Sequence, residues 1–235
     1  MPHASTMLSL FAAAGITLAT AGAQAAPVTF TELAGFTGGT VAGTAVFRAD
    51  LSGLGIGQIA SLTIQDSNNG IGGSAGQFSG FDLDAVVIST TLITDAAQVG
   101  LLVPAIGLDF VNSVLIPGTQ RAPADPALFG TSGGQVNNAV ATLGSFDGEN
   151  TTTTPDGFVS LGDGGRLSIN LAAPIPVGSP LYLYIGEVGN QGELAAGSVE
   201  LSSTTVAVPA PASLALFGLG LAGLGLLGGR RARAG

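Results

Sequence analysis

The side chains of this chain that could do chemistry are almost all carboxylates. Its 235 residues include fifteen Asp and Glu, six Arg, one His, and no Lys or Cys. Because the His is residue 3, no His, Cys or Lys remains in the body of the chain. Histidine-containing triads, cysteine nucleophiles, lysine Schiff bases and histidine-bound zinc or iron are therefore excluded there. Carboxylates can still bind a hard cation or act as an acid–base pair on a glycoside.

The acidic residues form three groups that could supply oxygen ligands to Ca²⁺. The groups are Asp66, Asn68, Asn69, Asp82 and Asp84; Asp147, Glu149, Asp156 and Asp163; and Glu187, Asn190 and Glu193. The best candidates are Asp66, Asn68, Asp82 and Asp84. Asp82 and Asp84 have the spacing of one strand face, where two like charges need a cation or a neutralising donor. None of the groups has EF-hand spacing, and a solvated acidic surface rich in turns is the alternative.

Two further hypotheses concern carbohydrates. Glu187 and Glu193, or Asp82 and Asp84, could form the carboxylate pair of a glycoside hydrolase. The chain has no Trp, so sugar stacking would depend on Tyr182 and Tyr184, which share one face of a strand. The alternative is that both tyrosines simply cover the surface of a sheet.

The elements that must position these residues are predicted to be strands. Alternating polar and apolar residues predict strands at 61–65, 166–171 and 198–202. Apolar runs predict further strands at 44–51, 83–91, 136–146 and 181–188. Residues 117–126 are the best candidate for a long surface loop or an internal boundary. The fold predicted for residues 26–207 is all-β, an antiparallel β-sandwich.

The N-terminus has the pattern of a secretory signal. Residues 8–22 are mostly apolar and lead to Ala23-Gln24-Ala25, the small-x-small pattern after which signal peptidase cuts. We predict a signal peptide at 1–25, with cleavage before Ala26. All fifteen acidic residues then lie in the body, opposed by three arginines. This negative charge disfavours nucleic acid and anionic membrane surfaces as partners.

Residues 208–235 combine a proline motif, an apolar run and an arginine cluster. The motif is Val208-Pro209-Ala210-Pro211-Ala212, residues 212–229 are uncharged, and Arg230, Arg231 and Arg233 follow. The uncharged run is near the lower limit of about 17–25 residues for a helix that crosses hydrocarbon. Its cationic flank would stay in the cytoplasm. We predict a transmembrane helix here, either as a processed tail or as a permanent anchor.

This layout resembles the C-terminal sorting tail of PEP-CTERM and VPLPA-CTERM exported proteins. The resemblance implies that a membrane-embedded exosortase cuts at or near the proline motif. Ala210 stands where PEP has glutamate and VPLPA has leucine, so the subfamily stays open. In addition, the segments 77–86, 157–165 and 184–189 resemble parts of bacterial surface domains with a jelly-roll or discoidin-like fold. That second resemblance implies an extracellular adhesive or glycan-binding module.

The leading hypothesis is a non-enzymatic, exosortase-sorted surface or matrix protein associated with exopolysaccharide and biofilm. It would pass transiently through the inner membrane, and its partners would be signal peptidase, an exosortase and extracellular polysaccharide. A Ca²⁺-dependent glycan-binding module and a carboxylate-based glycoside hydrolase are the alternatives.

Overall fold

The structure, a computed structural model, describes residues 24–38, 42–71, 73–149, 157–178, 180–193 and 198–208. Its elements are β1 (Ala25–Pro27), β2 (Thr31–Glu32), β3 (Thr44–Asp50), β4 (Gln58–Gln65), β5 (Asp82–Ser89), β6 (Leu108–Ile116), β7 (Thr131–Ser132), β8 (Gln135–Val136), β9 (Val159–Ser160), β10 (Arg166–Pro176), β11 (Tyr182–Val188) and β12 (Ser198–Ser202), with short 3-10 helices at Gly76–Phe78 and Ala96–Leu101. The described part of the chain is therefore mostly β, as predicted.

The strands form two five-stranded antiparallel sheets. The first has the order β1-β12-β4-β10-β6 and the second the order β2-β3-β11-β5-β9. Strands β7 and β8 make a separate hairpin beside β6. Consecutive long strands alternate between the sheets, so each connection from β3 to β6 crosses from one sheet to the other.

One apolar core is shared by the two sheets. It contains Leu62 and Leu167 from the first sheet and Phe47 and Leu183 from the second, all buried. Alternation along each strand directs these side chains to a common side, where the removal of apolar surface from water stabilises the fold. A smaller cluster on the far face of the second sheet receives residues 93–102, the segment that includes the second 3-10 helix.

Six of the seven predicted strands are present, as β3, β4, β5, β10, β11 and β12. The prediction for 136–146 is wrong, because strand β8 stops at Val136 and turns follow. Strand β6 was not predicted. Its alternation is interrupted by a large bulge, in which the residues between Asp109 and Val114 have no partner in the ladder with β10.

The antiparallel registers define two ends of the molecule. At what we call the tail end, β3, β5, β10 and β12 finish and β4, β6 and β11 begin. At the opposite, acidic end lie the start of β5 and the ends of β4 and β11. Residues 117–126 form a loop, and both sheets contain strands from before and after it.

The predicted signal peptide up to residue 23 and the sorting residues from Pro209 onward lie outside the described residues, and so does the predicted transmembrane run 212–229. Among the residues that are described, no helix has the length and apolarity needed to cross a membrane.

Candidate functional site at the acidic end

A β-bulge sets the orientation of Asp82 and Asp84. Between the pairs at Leu83 and Val86, two residues of β5 oppose one residue of β11. The extra residue reverses the alternation, so Leu83 and Val86 both reach the core while the two aspartates point away from it. Segments that follow β8 cover this side of the sheet, and both carboxyls are buried.

Asp84 accepts hydrogen bonds from Thr44 and from the backbone of the covering loop. Thr44 Oγ1 donates to its Oδ2 at 2.8 Å, and Gly148 N donates to its Oδ1 at 2.8 Å. A Cβ at Gly148 would lie 2.6 Å from Thr44 Oγ1, so the covering loop needs glycine here. Burial raises the pKa of Asp84 from 3.8 to about 7, although both hydrogen bonds favour the charged form. Asp84 therefore titrates near neutral pH.

Asp82 accepts a short hydrogen bond from Ser160 Oγ, which β9 places beside it. Burial raises the pKa of Asp82 well above its ordinary value, and the charges of Glu187 and Asp66 raise it further. The Ser160 bond and the more distant Arg121 lower the pKa only in part. Asp82 is thus a carboxyl group that tends to keep its proton.

Glu187 and Glu193 form a carboxyl pair. Glu187 Oε1 accepts from the backbone N of Gly192 at 3.0 Å and from that of Glu193 at 3.1 Å, which folds residues 189–193 over the end of β11. Glu193 is fully buried, and its carboxyl group lies against that of Glu187. Burial raises its pKa well above the ordinary range, and the hydrogen bond with the Glu187 side chain raises it further. The two carboxyls are in direct contact, whereas the catalytic carboxyls of glycoside hydrolases are about 5–9.5 Å apart.

Asp66 follows β4 and shapes the next turn. Its Oδ1 accepts from Asn68 N and from Gly164 N, both at 2.8 Å, and Asn68 takes a left-handed φ of 56°. Its other oxygen, Oδ2, is buried and has no hydrogen-bond partner among the described residues. Nearby, the Arg121 guanidinium pairs with Asp163 at 3.2 Å. One oxygen of Asp66 is therefore left without a donor.

An open cleft of about 210 Å³ lies next to Asp82. Phe78, Phe158 and Val188 provide apolar walls, and Asp82 and Gln191 are among its polar lining residues. The two phenylalanines belong to an aromatic cluster with Phe129, with ring centroids 4.6–5.9 Å apart. A carboxyl and an amide beside aromatic faces are groups that can orient a small polar ligand. No sequence pattern identified this cleft, because its walls come from distant parts of the chain.

The predicted acidic groups do not assemble as three clusters. Among the described residues, no three acidic side chains converge in a way that could hold a metal ion. Asp147 accepts from Thr142 Oγ1 at 2.9 Å, and Asn190 donates to Glu32 Oε1 at 2.8 Å, away from Glu193. Asp156 lies outside the described residues. The Ca²⁺ hypothesis stays a prediction, with Asp66 Oδ2 as its best remaining ligand.

The prediction that Tyr182 and Tyr184 form a sugar platform or cover a sheet surface is wrong for Tyr184. This side chain is fully buried, and its hydroxyl accepts from Ile93 N at 3.0 Å and donates to Thr91 O at 2.9 Å. Residues 93–102 fold over it, a long-range contact that strand periodicity does not reveal. Tyr182 is half-buried.

The chain leading to the proline motif is attached to the first sheet. After β12, Thr204 O accepts from Ser61 Oγ at 2.7 Å. Val206 is then held on both sides by the Asn170 amide, with Val206 N donating to Oδ1 at 2.7 Å and Nδ2 donating to Val206 O at 3.0 Å. We call these contacts the Asn170 clasp. They fix the position from which residues 207–235 leave the sheets.

Comparison with protein-family models finds a match to the PEP-CTERM protein-sorting motif at residues 207–233. The motif begins one residue after the Asn170 clasp, and it confirms the predicted sorting tail. It marks an exported protein that an exosortase-type membrane system sorts to the cell surface. Searches of the curated proteins and of the solved structures find no match.

Proposed function

We propose that this exported, exosortase-sorted chain is a non-enzymatic surface or extracellular-matrix protein associated with exopolysaccharide and biofilm. Signal peptidase removes residues 1–25, and an exosortase-type protease cuts the tail at or near residues 208–212. The folded body is the product that reaches the outside of the cell.

One observation carries this proposal, the position of the sorting motif. It follows directly on the last attached residue of the β-sheets, so nearly the whole body is available for export as one folded unit. The chemistry of the body supports a non-enzymatic role, since it lacks His, Cys and Lys and its closest buried carboxyls bond to each other or to the backbone.

The strand order supports a jelly-roll-like sandwich for this body. The central order β3-β11-β5-β9 faces the central order β4-β10-β6, and chain-consecutive strands alternate between these layers. Such winding is typical of jelly rolls, an architecture found in lectin domains and other surface proteins. Three of its four edge strands, β1, β2 and β9, are short, and the fourth, β6, carries a large bulge and lies beside the β7–β8 hairpin. Both features limit unwanted pairing between copies outside the cell.

Intact-mass analysis of the native protein tests the proposal, with the envelope and the medium measured separately. We expect a species that begins near Ala26 and ends close to residues 208–212. A second measurement uses the Pro209→Ala, Pro211→Ala variant, which should keep its tail, with Pro174→Ala as the matched control that is processed normally. If the native protein retains Arg230 to Gly235 in every fraction, the tail is a permanent anchor and the proposal fails.

The cleft beside Asp82 favours a second candidate function, Ca²⁺-assisted glycan binding. Phe78 and Phe158 offer aromatic faces, and Asp82 and Gln191 offer hydrogen bonds, which together match the recognition of a sugar ring. Calcium would act through the unpartnered oxygen of Asp66, close enough to Asp82 for their charges to interact.

Calorimetric titration with monosaccharides and short oligosaccharides tests this candidate, in Ca²⁺ and in chelator. Binding should be lost in Gln191→Ala and retained in Gln98→Ala, a glutamine in the second 3-10 helix away from the cleft. Asp66→Asn should abolish any calcium requirement while leaving binding in chelator unchanged. Equal affinities in Gln191→Ala and the native chain would remove the cleft from consideration.

A further inference from the structure

The two ends of the β-sheets differ sharply in the number of ionisable side chains that they hold. At the tail end, residues 51–57 and 171–181 contain no charged residue, and the connection 90–107 contains only Asp95. The acidic end holds Asp66, Asp82, Asp84, Asp147, Glu149, Asp163, Glu187 and Glu193, with Arg121 and Arg166. The alternation of polar and apolar residues along a strand does not explain why one end of the strands has so many more ionisable residues than the other. We therefore look for the reason in what surrounds each end of the protein.

The tail end also exposes large apolar side chains. Leu92, Leu101 and Val103 are 53%, 62% and 68% exposed, all within the connection from β5 to β6. The backbone there is fixed rather than loose, since Ser89 Oγ donates to Val103 O at 2.7 Å and Ser89 pairs with Pro104. Ser89 is the last residue of β5, so Val103 lies at the tail end. Firmly held apolar side chains that face outward are typical of a binding surface.

Both termini of the body leave from this same end. Strand β1 pairs with β12, so Ala25 lies opposite Ser202, and Ser203 N donates to Gln24 O at 3.0 Å. The Asn170 clasp then holds Val206, close to the pairing of Leu171 with Leu108 at the start of β6. From Val206 to Ala212, where the apolar run begins, six residues reach at most about 20 Å. A bilayer that holds residues 212–229 must therefore lie near the tail end.

We propose that the tail end is a lipid-docking surface, which lies on the bilayer while the sorting tail is still attached. Leu92, Leu101 and Val103 enter the boundary between headgroups and acyl chains, as the apolar faces of interfacial proteins do. The nearest charged groups are the aspartates Asp50, Asp95 and Asp109 and one cation, Arg48, whose guanidinium donates to Ile93 O at 2.8 Å. Because the three carboxylates outnumber the single guanidinium, anionic headgroups are not favoured. The partner is a zwitterionic lipid surface, and the acidic end faces away from it.

This inference rests on the proposed membrane attachment of the tail, and the test separates the two. Because the chain has no Cys, single-cysteine variants can be labelled at one position with an environment-sensitive fluorophore. The full-length chain is reconstituted in phosphatidylcholine vesicles as Val103→Cys and, in parallel, as Ile71→Cys. Ile71 is a matched control, an apolar residue 47% exposed at the acidic end.

We expect both variants to co-float with vesicles, with a blue shift and quenching by nitroxide-labelled lipid only at position 103. Adding Leu92→Asp and Leu101→Asp should abolish that quenching, and replacing phosphatidylcholine by phosphatidylglycerol should weaken it. Co-flotation with equal, water-like emission at both positions would overturn the docking surface and leave the anchor intact. Failure to co-float would overturn the anchor and the docking surface together.

Discussion

Asp84→Asn is the substitution whose effect can be worked out most fully. The native carboxyl accepts from Gly148 N and Thr44 Oγ1, and asparagine can keep both contacts. Its Oδ1 still accepts from Gly148 N, and the Thr44 hydroxyl can rotate to accept from the new amide. The substitution therefore removes a charge from a buried position and keeps the hydrogen bonds with Thr44 and Gly148.

The expected size follows from the pKa of Asp84. Burial raises it from 3.8 in the unfolded chain to about 7 in the folded chain. Between these values the folded state keeps a proton that the unfolded state has lost, so stability falls as the pH rises through this window. About three pKa units at 1.36 kcal/mol each give a loss of about 4 kcal/mol between pH 4 and pH 8. Below pH 3.8 the penalty is absent, because both states are protonated.

The measurement is urea unfolding of the native chain and the Asp84→Asn variant in detergent solution, from pH 4 to pH 8. Other buried carboxyls also titrate, so the quantity to follow is the difference between the two free energies of unfolding. We expect that difference to grow in favour of Asp84→Asn by about 4 kcal/mol across the range. Asp50→Asn is the matched control whose difference stays nearly constant, since hydrogen bonds from Ser52 lower the pKa of Asp50 and its contribution to stability therefore changes mainly below pH 4.

A difference that stays constant from pH 4 to pH 8 would refute the reasoning, because Asp84 would then have the same proton affinity in both states. Repeating the series with Ca²⁺ shows whether the Asp84 carboxyl binds a proton or a metal ion. If calcium at pH 8 restores the stability of the native chain but not that of Asp84→Asn, the carboxylate is a cation ligand rather than a proton-bearing group.

Three further changes have expected outcomes. Tyr184→Phe should lower the free energy of unfolding by about 1–3 kcal/mol in urea titration, because it leaves Ile93 N without an acceptor, whereas Tyr182→Phe should change it little. Gly165→Ala should lower the melting temperature strongly, because a Cβ there would collide with the carbonyl of Leu161 and no side chain could move aside; an unchanged melting temperature would contradict that packing. Asn170→Ala should leave the sheets folded but speed proteolysis after Val206, measured by mass spectrometry of timed digests; equal rates in both proteins would mean that the Asn170 clasp does not restrain the tail.

The sequence predicted most of the strands because their residues alternate regularly. Residues 166–170 and 198–202 keep the pattern and became paired parts of β10 and β12. The pattern failed where the backbone departs from regular pairing. The bulge in β6 hid a strand, and residues 136–146 are apolar enough for a strand but fold as turns that cover β5. Local composition does not distinguish an apolar strand from an apolar covering loop.

The site was less predictable than the fold, because it depends on which distant segments meet. Period-two spacing correctly predicted that Asp82 and Asp84 lie on one side of β5. Two neighbouring carboxyls there need neutralising donors, and the structure provides donors to both. The donors themselves, Thr44, Gly148 and Ser160, come from three other parts of the chain. Burial of Tyr184 depends likewise on residues 93–102.

The pairing of the first strand with the last one links export to folding. Among the described residues, strand β1 pairs only with β12, so it joins the sheet after the segment just before the sorting motif has folded. Long-range pairs such as Ala26 with Leu201 are slow to form, because most of the chain must be ordered before they close. Removal of residues 1–25 by signal peptidase would also remove Gln24 and its bonds to Ser203, which loosens β1 beside the start of the tail. Under the proposed processing, a change at one end of the body therefore affects the other end through the pairing of β1 with β12.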